Sequence, residues 1–223
     1  MKIKGAIFDL DGVLLDSMFI WDILGETYLK DQGIQPRDDV REALRPMSLL
    51  QAAQYFRDEY EMLDSVQAII DGINHLVEHF YFDLAMPKPG VLDFLDKLMD
   101  NNVKMCITTA TDRFIVDAAL KRNKIEHYFD KIFTCTEVGH GKDEPDIYLC
   151  ALEFLGMTKR DVVVFEDALY AINTAKKAGF SVATVYDSTA LDQQTEIKKL
   201  ADVYITTFQD IEIESDCIQM KVE

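Results

Sequence analysis

Six short apolar runs rich in β-branched residues, at 3–8, 103–109, 131–134, 162–165, 182–186 and 203–206, constrain this chain more than any other feature. Each suits a strand buried on both faces, and the last five each follow a segment with helical spacing. Strands that alternate with helices predict an α/β fold with a parallel sheet. Local signals support the helices: Pro89-Gly90 opens 91–99, Asp112 can cap 114–121, and Gly179 closes 168–178. With 48% apolar residues in 223, the chain can bury a substantial core.

The alternation breaks between about residues 16 and 83, where helical periodicity continues without a strand. Val66, Ile69, Ile70, Ile73, Leu76, Val77 and Phe80 form one apolar stripe, with Asp64 as the expected N-cap. The segment leaves directly after the first strand and returns through Ala85-Met86-Pro87-Lys88-Pro89-Gly90, a linker-like composition. The expected organisation is a Rossmann-like core from 1–15 and 84–223, with a helical cap inserted at 16–83 as a lid over the site. Residues 214–223 are polar and weakly patterned, and are expected to be loosely held.

Charge and cysteine usage narrow the function classes. Forty acids against 23 bases give a net charge of −17, which opposes binding to nucleic acid or an anionic membrane surface. Cys106, Cys135, Cys150 and Cys217 form no CxxC pair and have no histidine beside them to complete a zinc set, so reduced thiols are expected. No signal-peptide pattern or membrane-length apolar run is present, and a cytoplasmic monomer is expected.

Polar groups collect where the strands end, which in a parallel sheet is the ligand-binding edge. The first strand delivers Asp9 and Asp11, with Gly12 allowing a sharp turn; the second delivers the Thr109 hydroxyl. Lys142 follows the third after a short loop, and Glu166-Asp167 end the fourth. Four carboxylates around a phosphate would repel it and raise one another's pKa. A divalent cation resolves that conflict, and oxygen-only donors favour Mg²⁺. A calcium loop does not fit Asp9-Leu10-Asp11-Gly12, because Val13 and Ile20 stand where an EF-hand needs ligands.

Asp9-Leu10-Asp11-Gly12-Val13-Leu14-Leu15-Asp16-Ser17 resembles the first motif of the haloacid dehalogenase superfamily. Thr109-Ala110-Thr111 resembles the second, Lys142 with Pro145-Asp146 the third, and Phe165-Glu166-Asp167 the fourth. The resemblance implies a phosphatase with Asp9 as nucleophile, through an aspartyl-phosphate, and Asp11 as general acid and base. Thr109, Ala110 and Lys142 would hold the phosphoryl group, and Asp9, Asp11 through its carbonyl, Asp167 and Glu166 would bind Mg²⁺. Two departures from the family pattern stand out: Asp143-Glu144 replaces a proline after Lys142, and Ala168 and Ala171 replace a small polar residue and a glycine.

The substrate expected is a small phosphorylated metabolite, with Trp21 and Arg45 as candidate contacts from the cap. The rival within the family is a sugar phosphomutase of the β-phosphoglucomutase type. Those enzymes carry a histidine and an arginine where this chain carries Trp21 and Leu49, which weakens that reading. Dehalogenases lack the second aspartate, so Asp11 argues for phosphoryl transfer. A protein that only senses a phosphometabolite is the reading from another class. His75 and His79, four apart on a helix, are expected to be surface or packing residues rather than metal ligands.

Overall fold

The computed structural model describes residues 3–44, 47, 49–214 and 217–221. By contacts the chain divides into two compact units, Met1–Asp16 with Ala85–Glu223, and Ser17–Leu84. In the first unit, β1 (Gly5–Phe8) leads to β2 (Leu15–Asp16); after the inserted segment the chain resumes with β3 (Met86–Pro87). The helices and strands then alternate. Their order is α5 (Val91–Asp100), β4 (Lys104–Thr109), α6 (Arg113–Asn123), β5 (Lys131–Thr134), α7 (Cys135–Val138) and α8 (Asp146–Leu155), followed by β6 (Val162–Glu166), α9 (Leu169–Lys177), β7 (Ser181–Val185), α10 (Gln194–Leu200) and β8 (Val203–Ile205). Among the described residues of the second unit are α1 (Met18–Asp31), α2 (Val40–Leu44), α3 (Leu49–Glu59) and α4 (Val66–His79), the last running into a π-helical stretch at Phe80–Leu84.

Six strands form a parallel sheet in the order β5-β4-β1-β6-β7-β8. The chain works outward from β1 to β4 and β5, then crosses to β6 on the opposite side of β1. That reversal places a crevice at the carboxyl ends of β1, β4 and β6. The central strand is buried throughout: Phe8 stacks on Phe165 at 4.4 Å between ring centroids and meets Phe94 edge-on at 6.2 Å. On one side of the sheet Ile7, Val162, Val164 and Val182 join Ile147, Ala151, Ile172 and Ala175 in one apolar cluster.

The observed elements differ from the expected ones at their ends. The first strand starts at Gly5 rather than residue 3, because the Lys4 and Gly5 amides both turn to the Asp161 carbonyl. Helix α4 is capped by Ser65, not Asp64: the Ser65 hydroxyl accepts from Ala68 N at 3.1 Å, the reach an N-cap oxygen requires. Of the apolar stripe, Ile69, Ile73, Val77 and Phe80 are buried, and Gly72 lets α4 approach Tyr28 of α1. Asp112 occupies the N-cap position of α6, yet its carboxylate accepts from the Thr136 hydroxyl instead of the helix. Within the C-terminal segment, β9 (Glu212–Glu214) and β10 (Cys217–Lys221) pair antiparallel. Its isoleucines at 211 and 213 alternate with acids, the strand period that the polar composition conceals. No helix among the described residues is long and apolar enough to cross a membrane.

The two connections to the inserted segment lie side by side, because β2 and β3 pair antiparallel with Leu15 opposite Pro87 and Asp16 opposite Met86. The return path is fixed immediately afterwards. Lys88 N donates to Leu14 O, and the Lys88 ammonium donates to Asp187 Oδ2 and Tyr186 O, each at 2.8 Å. Gly90 then adopts φ +83° before α5, with backbone of Phe208 and Gln209 where a Cβ would stand. Gly90→Ala is therefore expected to cost about 2–4 kcal/mol through strain and overlap. Urea denaturation of the two proteins measures that difference.

Candidate active site

The site is assembled on the crevice at the reversal of strand order. Asp9 follows β1 directly, its amide donating to Phe165 O, so its side chain emerges between the ends of β1 and β6. The chain then folds back at once: Leu14 N and Leu15 N both donate to Leu10 O at 2.9 Å, and Gly12 supplies the φ of +73° that this turn needs. Leu10, Val13, Leu14 and Leu15 are fully buried, so apolar packing holds the loop that carries Asp9 and Asp11.

Lys142 is the centre of charge. Its ammonium lies 2.6 Å from both Asp9 Oδ1 and Glu166 Oε1, and the residue is only 4% exposed. Leu10 N also donates to Asp9 Oδ1, at 2.7 Å, which together with the lysine fixes the carboxylate plane. The exchange of proline for Asp143-Glu144 does not displace Lys142; both acids are exposed, with their charge toward solvent. Ala171 is fully buried in α9.

Ligand oxygens of Asp9, Glu166 and Asp167 lie within 4.8 Å of one another, all three buried. One lysine cannot balance three carboxylates in that space. Burial pushes Asp9 well above the usual carboxylate range, repulsion from Glu166 adds to it, and Lys142 only partly offsets it. For the same two causes Asp167 is pushed up to about 8. Burial alone would lower the Lys142 pKa, but attraction to Asp9 and Glu166 outweighs it, and the ammonium stays charged. This buried, oxygen-only donor set with surplus negative charge fits a hard divalent cation.

A pH dependence follows for the metal-free protein. Unfolded, the Asp167 carboxyl releases its proton near the ordinary value of 3.8; folded, it keeps the proton to about 8. The folded state binds more protons between those values, so stability is expected to fall as pH rises from about 4 to about 8, with Asp9 acting in the same sense. Millimolar Mg²⁺ is expected to raise the melting temperature most at the upper end of that range. Thermal melts from pH 4 to 9 with and without the cation check both trends.

At the end of β4, Thr109 is buried and its Oγ1 accepts from Thr111 N at 3.0 Å; Ala110 is exposed. The Thr111 hydroxyl donates to Asp11 Oδ2 at 2.7 Å, linking the ends of β1 and β4. The structure thus brings Asp9, Lys142, Glu166 and Asp167 together directly, and joins Asp11 to Thr109 through one residue. Trp21 is 47% exposed on α1, and Arg45 lies outside the described residues. His75 and His79 are exposed, each beside its own acid, Glu78 and Asp83.

Together, the two aspartates after β1, the Thr109 hydroxyl after β4, Lys142 after β5 and the acidic pair at the end of β6 stand at four loops of one parallel sheet, in the order of the four motifs. A family model described as haloacid dehalogenase-like hydrolase matches residues 6–185. The chain belongs to that family. Among its haloacid dehalogenase-like relatives, a phosphorylated carbohydrates phosphatase of Thermotoga maritima is 27% identical over 79% of this chain and 82% of its own length. A fructose-1-phosphate phosphatase of Escherichia coli is also 27% identical, over 82% of this chain and 97% of its own. The fold is shared with a family IA hydrolase of Entamoeba histolytica, with a TM-score of 0.76 and 22% identity over 96% of this chain and 97% of that one.

Two groups of this haloacid dehalogenase-like site escape a reading by motif. Tyr148, wholly buried on α8, donates to Glu166 Oε1 at 2.8 Å, so that oxygen is shared between a phenol and Lys142. In sequence it sits inside an apolar helical stripe and reads as core; the signal is that a buried tyrosine hydroxyl needs a partner. Asp187 after β7 is a further carboxylate at a strand end, engaged by Lys88. A cleft of about 210 Å³ lies beside that pair, lined by Lys88, Asp187, Ser188, Thr206, Thr207 and Phe208 among others. None of the Asp9, Asp11, Glu166 and Asp167 carboxylates lines it, although Lys88 and Asp187 both act on the charge of Asp167.

Proposed function

We propose that this protein is a Mg²⁺-dependent phosphatase that hydrolyses a small phosphorylated metabolite, of the sugar or polyol phosphate kind, through an aspartyl-phosphate on Asp9. The observation that carries the reading is the Asp9 carboxylate clamped by Lys142 at 2.6 Å beside Asp167 and two residues from a second aspartate. The names of the two phosphatase relatives support the sugar phosphate part of that class.

In the first step Asp9 attacks phosphorus in line, the bond to the leaving oxygen breaks, and that oxygen takes a proton from Asp11. Lys142, the Thr109 hydroxyl and the Ala110 amide stabilise the charge that gathers on the phosphoryl oxygens. In the second step water attacks the aspartyl-phosphate, Asp11 takes its proton, and phosphate leaves with Asp9 restored. Asp9, Asp167, Glu166 and the Asp11 carbonyl would hold Mg²⁺, which supplies positive charge to the phosphate and neutralises the acidic cluster. The inserted segment, read from the sequence as 16–83, is taken as the cap that selects the leaving group, with Trp21 and Arg45 as its candidate contacts. Free Cys106, Cys135 and Cys150, the first pushed up to about 12 by burial, support a reducing cytoplasmic setting.

Release of inorganic phosphate from a panel of phosphorylated carbohydrates and polyols, with Mg²⁺ and with EDTA, tests this reading. Cation-dependent release is expected. Binding of such compounds without turnover would favour a sensor, and interconversion of sugar phosphate isomers without net phosphate release would favour a mutase.

A further inference from the structure

We propose that Thr111 is the positioning residue for the acid/base carboxylate, holding Asp11 in the rotamer that delivers its proton to the leaving oxygen. The proposal rests on the phosphatase reading above. Asp11 stands in the tight turn after β1, whereas Thr111 belongs to the connection between β4 and α6, so the bond between them ties two strand ends together. The Thr111 hydroxyl donates to Asp11 Oδ2 at 2.7 Å while the Thr111 amide donates to Thr109 Oγ1 at 3.0 Å. One residue therefore sets the direction of both the phosphoryl-holding hydroxyl and the acid.

The connection that carries Thr111 is itself braced. Asp112 accepts from the Thr136 hydroxyl at 2.9 Å, and Arg113 reaches Ile132 O at 2.5 Å and both oxygens of Glu137 at 3.0 and 2.8 Å. An aspartate has two rotatable side-chain bonds, and one left to sample them spends little time in reacting geometry. The Thr111 hydroxyl holds one carboxylate oxygen, Oδ2, and so restricts that sampling.

The test compares leaving groups. An alkyl phosphate needs the proton from Asp11, whereas p-nitrophenyl phosphate expels an anion that is stable without one. The value of kcat/KM reports steps up to aspartyl-phosphate formation, so the later water attack does not enter. In Thr111→Val the ratio of kcat/KM for the alkyl ester to that for the aryl ester is expected to fall about tenfold to a hundredfold. Thr111→Ser, which keeps the hydroxyl, is expected to restore most of the ratio.

Equal losses on both esters in Thr111→Val, or a serine variant no better than valine, would overturn the role of Thr111. Asp11→Asn serves as the control: it must depress the same ratio at least as far. If Asp11→Asn leaves the ratio unchanged, or the unmodified protein hydrolyses neither ester, the phosphatase reading fails and the proposal falls with it. Failure confined to the Thr111 variants, with the control behaving as described, removes the proposal alone.

Discussion

Asp9→Asn is expected to lower kcat by about four orders of magnitude or more on any phosphomonoester the protein accepts, because the amide cannot form the aspartyl-phosphate. The same change is expected to raise the melting temperature of the metal-free protein. Asp9 is buried against Glu166 and Asp167 and is already pushed toward its neutral form, so a neutral amide of the same shape removes a repulsion. Lys142 loses one partner but keeps Glu166 at 2.6 Å. Opposite signs for activity and stability distinguish this from a folding defect. Single-turnover phosphate release together with a thermal melt without Mg²⁺ reads both quantities. A variant that loses activity and melts earlier would place the carboxylate in a structural role.

The second large effect is expected at Lys142. Lys142→Met removes the only cation bonded to Asp9 and Glu166 among the described residues, and leaves both carboxylates buried. Breaking a buried pair from one side costs about 3–5 kcal/mol, and loss of a charge that faces the transferring group costs about 10²–10³ in kcat. The stability loss is expected to be larger at pH 8 than at pH 5. At the lower pH Asp167, pushed up to about 8, holds its proton in the folded state, Asp9 is shifted in the same direction, and the missing ammonium is felt less. Urea denaturation of both proteins at the two pH values measures the difference. Arginine is not expected to rescue the site, since one nitrogen now lies 2.6 Å from each of two carboxylates in a closed space that a planar guanidinium would not fit.

The strand ends of this protein are legible because a short β-branched run and the polar residue that ends it are local facts. Asp9, Thr109, Glu166 and Asp167 follow from where each run stops, and the two-sided burial of β1 follows from Gly5-Ala6-Ile7-Phe8 having no polar alternation. Pairing between distant residues is not local. Nothing in the spacing shows that Glu166 Oε1 is taken by Lys142 and Tyr148, or that Thr111 rather than Thr109 reaches Asp11. Those partners are set by the sheet order and by which face of α8 turns inward. The Asp64 and Ser65 exchange at the start of α4 has a smaller cause: two adjacent capping residues offer the same chemistry, and backbone angles decide between them.

The short ribbon made by Leu15-Asp16 and Met86-Pro87 has a consequence for how such a protein can change. Departure and return of the inserted segment stand one strand spacing apart, about 5 Å, on the far side of residues that the sheet itself requires. The insert behaves as a cassette on two adjoining rails. A different helical module with equally close ends could replace residues 17–84 without moving Asp9, Lys142 or Asp167. On the proposed function, selectivity can drift by exchange of that module while the carboxylates and lysine at the strand ends are inherited whole, which separates the evolution of what is recognised from the evolution of what is done to it.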